Sequence, residues 1–291
     1  MTSYNVAGGG FIETVTAIVC AKDSEAELLE CVSRLLSLSV SEIIVVDGSN
    51  HDSSLHALSI LGAVVVVKDP GIGIGNARNI GVAAASSDYV LFVGPDNLIS
   101  DEIVERMLSV FECDKGILGV SCKTAVKVDS FLSYINNLYW KAKIKSGYKK
   151  VIGTPSMWRR ETLLHTEFDP AAKWSDDEYI CSKLSRESAR CFFAIDLACE
   201  EITQSTLGSF VRRFQAYGVS DYEVFQRNKS TWGWRRKKDS LLHPLRTEIL
   251  NLFASPLSCG QRIIFLPFAI WFAILRYISW AKCKLSEVRV A

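Results

Sequence analysis

Three aspartates in this 291-residue chain stand where a side chain can do chemistry. Asp47 closes the apolar run Glu42-Ile43-Ile44-Val45-Val46 and can accept hydrogen bonds from a base or a ribose. Asp96 follows the run Asp88–Val93 and can hold a hard divalent cation that bridges phosphates. Asp177 lies in the acidic cluster Asp176-Asp177-Glu178 at the head of a helical pattern, where a carboxylate can take the proton of an attacking hydroxyl. Two have a plainer reading: Asp47 as a strand terminus, Asp177 as a helix cap. Gly71, Gly73 and Gly75 do not make a dinucleotide fingerprint, because neither register gives Gly-x-Gly-x-x-Gly, and they read as a flexible loop.

The elements that must position these residues alternate. Val15–Cys20 is short, apolar and rich in β-branched residues, and Asp23 and Ser24 then cap a helical pattern through Leu28, Leu29, Val32, Leu35 and Leu36. Strands follow at Glu42–Asp47, Ala63–Lys68 and Asp88–Val93, with helices at about Ser53–Leu61 and Asn76–Ala85 between them. This predicts an α/β fold with a mostly parallel central sheet flanked by helices. Ligands of such sheets bind beyond the carboxyl ends of the strands, and Lys22-Asp23, Asp47 and Asp96 all stand at such ends. Helical patterns near Ser100–Glu112 and Ser130–Lys145 precede Gly153-Thr154-Pro155 and the acidic cluster.

Four segments together resemble the nucleotide-sugar half of family-2 glycosyltransferases of the GT-A fold. They are Thr16–Asp23, Val45-Val46-Asp47-Gly48-Ser49-Asn50-His51-Asp52, Ala77-Arg78-Asn79-Ile80-Gly81 and Asp88-Tyr89-Val90-Leu91-Phe92-Val93-Gly94-Pro95-Asp96, in the family's order and spacing. Gly153–Arg160 is similar to its acceptor-side stretch, Asp176–Leu184 to its base-bearing helix and Arg212–Gly218 to a basic, aromatic segment that closes over the phosphates. The resemblance implies a GT-A catalytic domain over residues 1–225, with a nucleotide-sugar half at about 15–100 and an acceptor half at about 101–225. It implies Asp177 as the catalytic base of an inverting transfer to an acceptor hydroxyl. Ala21, Asp23, Asp47, Arg78, Asp96, Arg212 and Arg213 then face the nucleotide-diphosphate sugar, and Asp96 holds Mg²⁺ or Mn²⁺.

The chain departs from the pattern in three places. Gly94 replaces the first aspartate of the Asp-x-Asp motif, Ala21-Lys22-Asp23 replaces Pro-x-Tyr-Asn, and no histidine stands near Glu200–Ser205. The cation is then expected to bind mainly through the diphosphate, with Lys22, Arg78, Arg212 or Arg213 supplying positive charge. The competing expectation is a relative that binds a nucleotide sugar or glycan without turning it over. A nucleotidyltransferase would want a Gly-rich basic loop after the first strand, where Ala21–Glu25 is acidic and without glycine. Trp140 reads as core, and Trp158 reads equally as core or as a platform for a sugar ring.

Formal charge is balanced, 33 Lys+Arg against 32 Asp+Glu, which excludes a global nucleic-acid footprint. Nine cysteines without a Cys-x-x-Cys pair read as reduced thiols of a cytosolic domain, and Met1–Thr14 lacks the marks of a signal peptide. Residues 226–291 differ from the rest. Arg227–Arg246 holds seven Lys/Arg against one Asp with Trp232 and Trp234 interleaved, and Ile263–Ala281 is apolar except at Pro267, Arg276 and Ser279. The expectation is a helical C-terminal extension lying on or dipping into the cytoplasmic face of a membrane, suited to a glycan or lipid-linked acceptor of the cell envelope. The alternative is an apolar helix buried against the catalytic domain or in a dimer interface.

Overall fold

A computed structural model of the chain describes residues 13–49, 58, 62–143, 145–172, 174–185 and 190–290. The helix expected at about Ser53–Leu61 lies outside the described residues except for Leu58, as do His51 and Asp52.

Four strands, β1 (Val15–Ala21), β2 (Glu42–Asp47), β3 (Val65–Lys68) and β4 (Tyr89–Val93), pair in parallel in the order β3-β2-β1-β4. The apolar runs of β1, β2 and β4 are buried on both faces, as strands between two helical layers must be. Beyond β4 the sheet is mixed. The strands there are β5 (Asn97–Leu98), β6 (Gly119–Val126), β7 (Gly147–Lys149), β8 (Ser156–Arg159) and β9 (Phe192–Glu201). β8 runs antiparallel to both β4 and β6, β6 and β9 are parallel, and β5 and β7 pair antiparallel with β9.

Alternate residues of the central strands feed two cores. Ala17, Val19, Val45, Leu91 and Val93 pack under α1 (Glu25–Leu36) and α3 (Asp101–Cys113), which bury Leu28, Val32, Met107 and Phe111. Ile18, Ile44, Val46, Val90 and Phe92 face α2 (Ile74–Ala84), α5 (Arg160–His165) and α6 (Asp176–Leu184). Each such aliphatic or aromatic side chain contributes about 1.5–3 kcal/mol by leaving water. Trp158 is fully buried in the second core, edge-on to Phe168 and Phe192, so it is packing and no sugar platform.

The second half of the stretch read as a flexible glycine loop is instead closely packed, while Gly71 and Ile72 stay exposed. Ile74 already begins α2, and a Cβ on Gly75 would stand 2.1 Å from the Asp169 carbonyl oxygen. Glycine there is a condition of close backbone approach.

A third core joins α4 (Phe131–Lys143), α7 (Leu207–Asn228) and the long α11 (Cys259–Val290). Between α7 and α11 the chain forms α8 (Trp234–Leu241), α9 (His243–Leu245), a π-helical turn (Arg246–Leu250) and α10 (Asn251–Phe253). The boundary expected at 225/226 falls inside α7. Phe265, Ala269, Phe272, Arg276 and Ser279 recur at helical spacing and form the docked face of α11, with Phe272 stacked on Phe214 at 3.7 Å. Ile263, Ile264, Ile270, Ile274 and Ile278 form an exposed apolar outer face. By length and composition α11 could cross a membrane, yet Arg276 is tied to Asp221 at 2.7 Å and to Glu248. The helix is therefore neither wholly buried nor free of the domain.

Candidate functional site

The parallel pairing brings the ends of three strands to one edge. Ala21 pairs with Asp47, and Val19 with Val93, so the loops after β1, β2 and β4 are neighbours. β8 enters from the opposite direction with Ser156 beside Phe92, which sets Gly153-Thr154-Pro155 at the same edge.

At this edge two loops are stitched together. Gly48 N–H donates to the Ala21 carbonyl at 2.9 Å, and Asp23 N–H donates to Ser49 Oγ at 2.9 Å. Asp23 has φ +52°, a left-handed conformation that aspartate tolerates better than most residues, and its side chain is exposed. Asp47 is fully buried. Its Oδ1 accepts from Ser49 N–H at 3.0 Å and its Oδ2 from the Lys68 ammonium at 3.3 Å. Burial pushes the Asp47 carboxyl up, but the Ser49 hydrogen bonds and Lys68 outweigh it and hold it below the ordinary range. Asp47 therefore does more than end a strand: it anchors the Gly48-Ser49 turn and is covered by Lys68, whose side chain is 53% exposed.

Asp96 ties β4 to the far end of β9. Its Oδ2 accepts from Thr203 Oγ1 at 2.7 Å and its carbonyl from Ile202 N–H at 2.9 Å. Gly94 N–H donates to Asn97 Oδ1 at 3.2 Å, and a Cβ at residue 94 would stand 2.6 Å from that oxygen and 2.8 Å from Asp96 Oδ1. This folded-back Asn97 occupies the space an acidic side chain at 94 would need. Among the described residues no group of three or more His, Cys, Asp or Glu is placed to hold a metal ion. Asp96 fits a cation as a single carboxylate ligand, an arrangement hard divalent ions accept when phosphate oxygens and water complete the shell.

Arg78 is where the structure departs most from the sequence reading. It is buried on α2 with its guanidinium 5.2 Å from the ring centroids of Phe92 and Phe168. Nη1 pairs with Asp177 Oδ1 and, at 2.7 Å, with Asp176 Oδ2, while Nη2 donates to Thr154 Oγ1 at 2.7 Å. Expected at the phosphates, Arg78 is committed to the acidic cluster instead. Burial pushes the Asp177 carboxyl up to about 6, opposed by Arg78 and helped by Asp176. The cap of α6 is Ser175, so Asp177 is not the capping residue. A Cβ on Gly153 would stand 3.1 Å from Asp177 Oδ2; its absence leaves that oxygen approachable.

Arg213, also expected at the phosphates, is a strut between helices and sheet. It pairs with Glu201 on β9, donates to Asn136 Oδ1 at 2.9 Å and lies 5.3 Å from the Trp140 ring. Arg212 is exposed on the same helix. Sequence reasoning missed Thr154, Glu201 and the partnership of Arg78 with Asp177. The co-occurrence of Arg78 and the acidic cluster was the available signal, but a separation of 99 residues hides the contact from any periodicity.

Comparison with known proteins gives a consistent result. Residues 16–158 match the model of the family described as "Glycosyl transferase family 2". An uncharacterized glycosyltransferase of Rickettsia typhi is 25% identical over 100 residues, which is 34% of this chain and only 34% of that relative. Among solved structures, a mannosyltransferase from Pyrobaculum calidifontis, in complex with GDP-Man and Mn²⁺, superposes with a TM-score of 0.64 at 15% identity over 93% of this chain and 88% of its own. Glucosyl-3-phosphoglycerate synthase from Mycobacterium tuberculosis, in complex with Mn²⁺, UDP and phosphoglyceric acid, gives 0.53 at 16% identity over 74% and 78%. At these identities the superpositions establish the fold, a mixed α/β sheet of the GT-A type.

Proposed function

Because this chain is a member of glycosyl transferase family 2 over residues 16–158, we propose that it moves a sugar from a nucleoside-diphosphate donor to an acceptor hydroxyl with inversion. The observation that carries this reading is Asp177, a carboxylate raised to about 6 and approachable past Gly153. Such a group is ionised at neutral pH yet basic enough to share the acceptor's proton as the new bond forms. The acceptor oxygen attacks the anomeric carbon, the bond from that carbon to the diphosphate breaks, and the electron pair leaves with the diphosphate. The proton goes to Asp177, which Arg78 aims and keeps ionised.

Asp47 and the loops stitched by Ser49 receive the base and ribose, with Lys68 swinging aside. A divalent cation held by Asp96 would take up charge on the diphosphate. Arg212 and Lys22, both exposed, are the protein cations free to assist. A binder without turnover is the second reading, favoured by the single acidic residue in Gly94-Pro95-Asp96. A panel of UDP- and GDP-sugars with Mn²⁺ separates them: thermal shift reports donor binding, and nucleoside-diphosphate release in the presence of a membrane extract reports transfer. A shift without release supports the second reading, and neither signal from any donor overturns both.

We further propose that the protein works on the cytoplasmic surface of a membrane, on a glycan or lipid-linked acceptor. The outer face of α11 and the 73%-exposed Trp234 offer apolar area, and Arg235, Lys237 and Lys238 on the same short helix as Trp234 suit anionic headgroups. Burying the Arg276 ion pairs inside the domain favours a helix that lies on the surface over one that crosses it.

A further inference from the structure

A groove of about 810 Å³ separates the acidic helix α6 from the C-terminal helices. Lys150, Gly153 and Glu178 line it from the catalytic side, and Trp232, Arg236 and Arg246 from the other. Gly153 lines this groove and also faces Asp177 Oδ2, so the groove passes beside that carboxylate. Its lining carries five Lys/Arg against three Asp/Glu. Of the five, Lys143 and Arg276 are paired with Glu248, and Arg246 with Asp239. Lys150 and Arg236 are then the cations of the groove with no ion pair among the described residues, and the Arg236 charge also favours the ionised Glu178 carboxyl across it. Arg236 stacks on Trp232 with its guanidinium 4.9 Å from the ring centroid, which holds a cation and an aromatic face side by side.

We infer that this groove is the acceptor site, and that it takes an acceptor bearing a phosphate group, gripped by Lys150 and Arg236 beside Trp232, with the reacting hydroxyl reaching Asp177 past Gly153. The assignment rests on the transfer reading above. A guanidinium and an ammonium lining one groove are matched by a phosphate, whose oxygens accept charge-assisted hydrogen bonds from either. The aromatic face beside them covers the ring or chain attached to it. The C-terminal segment is by this account half of the substrate site, beyond any part in anchoring. Two sources share the chemistry: a soluble sugar phosphate, or a lipid phosphate whose tail runs over the exposed Leu241 and Leu245 of the same segment.

Calorimetric titration of the full chain tests the assignment without knowledge of the natural acceptor. The probes are glucose 1-phosphate and decyl phosphate, with methyl glucoside and decyl glucoside as neutral controls. Binding of at least one phosphate and of neither control is expected, and which phosphate binds tells the source. Arg236→Gln and Lys150→Gln should each weaken that binding about tenfold, and Trp232→Ala should weaken it as well, while binding of UDP or GDP stays unchanged in all three. No binding of either phosphate, or variants that bind as tightly as the parent, overturns the acceptor assignment. Wild-type protein that binds a phosphate probe but neither nucleotide would instead sink the transfer reading, so the two failures show separately.

Discussion

Arg78 on α2 and Asp177 on α6 are joined by an ion pair, and the same guanidinium nitrogen holds Asp176 at 2.7 Å. The buried cation thereby opposes the effect of burial on the Asp177 carboxyl and fixes its direction while lending it little freedom. Asp177→Asn preserves shape and removes the base. Turnover should fall by roughly 10²–10⁴-fold with donor affinity near that of the parent, read from steady-state rates and calorimetry. A modest drop would point to Glu178 as the base, and a large loss of stability to a purely structural role.

Burial gives Asp177 a pKa of about 6 in the fold against an ordinary 3.8. The rate of transfer should therefore decline as pH drops through about 6, as the base takes up its proton. Stability moves the other way. The fold binds this proton more tightly than the unfolded chain does, so its contribution is full below 3.8 and is lost as pH rises through about 6. Denaturant melts of the parent and Asp177→Asn between these limits should show the parent losing stability with rising pH relative to the variant. Parallel profiles would remove Asp177 as the titrating group.

Asp47→Ala strips Ser49 N–H and the Lys68 ammonium of their acceptor and opens the loop over the cleft. Affinity for the nucleoside diphosphate should weaken by about 1–3 kcal/mol, the usual cost of unpaired buried polar groups. Calorimetry with UDP and GDP measures it. Unchanged affinity would take Asp47 out of the nucleotide site.

The cation requirement should be real but soft, since the chain supplies one carboxylate. Asp96→Ala should lower activity severely, and excess chelator should depress the activity of the parent. Full activity in chelator would shift the stabilisation of the leaving group to Arg212 and Lys22.

Ile270 and Ile274 lie on the exposed face of α11, one turn apart. Full-length protein should pellet with membranes and resist a salt wash. Ile270→Glu with Ile274→Glu should remain in the supernatant and still bind nucleotide, because neither side chain belongs to the docked face. Parent protein that stays soluble at low salt without detergent would end the membrane reading.

The first half of the fold was legible because its signals are local. β2 reads as a buried strand from Ile43–Val46 alone, and a residue such as Asp47 after it has only one edge of the sheet to occupy. The reversal at β8 was not legible, since Ser156–Arg159 is four residues long and carries polar ends. Nor were β5 and β7, at two and three residues. Partners were the harder loss. Arg78 and Arg213 stood as phosphate ligands through the family resemblance, whereas the carboxylates that absorb their charge arrive from distant elements. Arg276 looked like a flaw in an apolar helix until Asp221 and Glu248 were seen to meet it.

Gly218 has a consequence for how α11 is seated. A Cβ there would stand 2.3 Å from the Arg276 carbonyl oxygen, so the backbones of α7 and α11 touch with nothing compressible between them. Arg213, five residues back along α7, is paired with Glu201, and Glu201 is paired in the sheet with Asn97, the neighbour of Asp96. The seat of the apolar helix is thus joined through α7 to the strand end that Asp96 also meets through Thr203. Replacing Gly218 with a larger residue would force α7 and α11 apart at this contact.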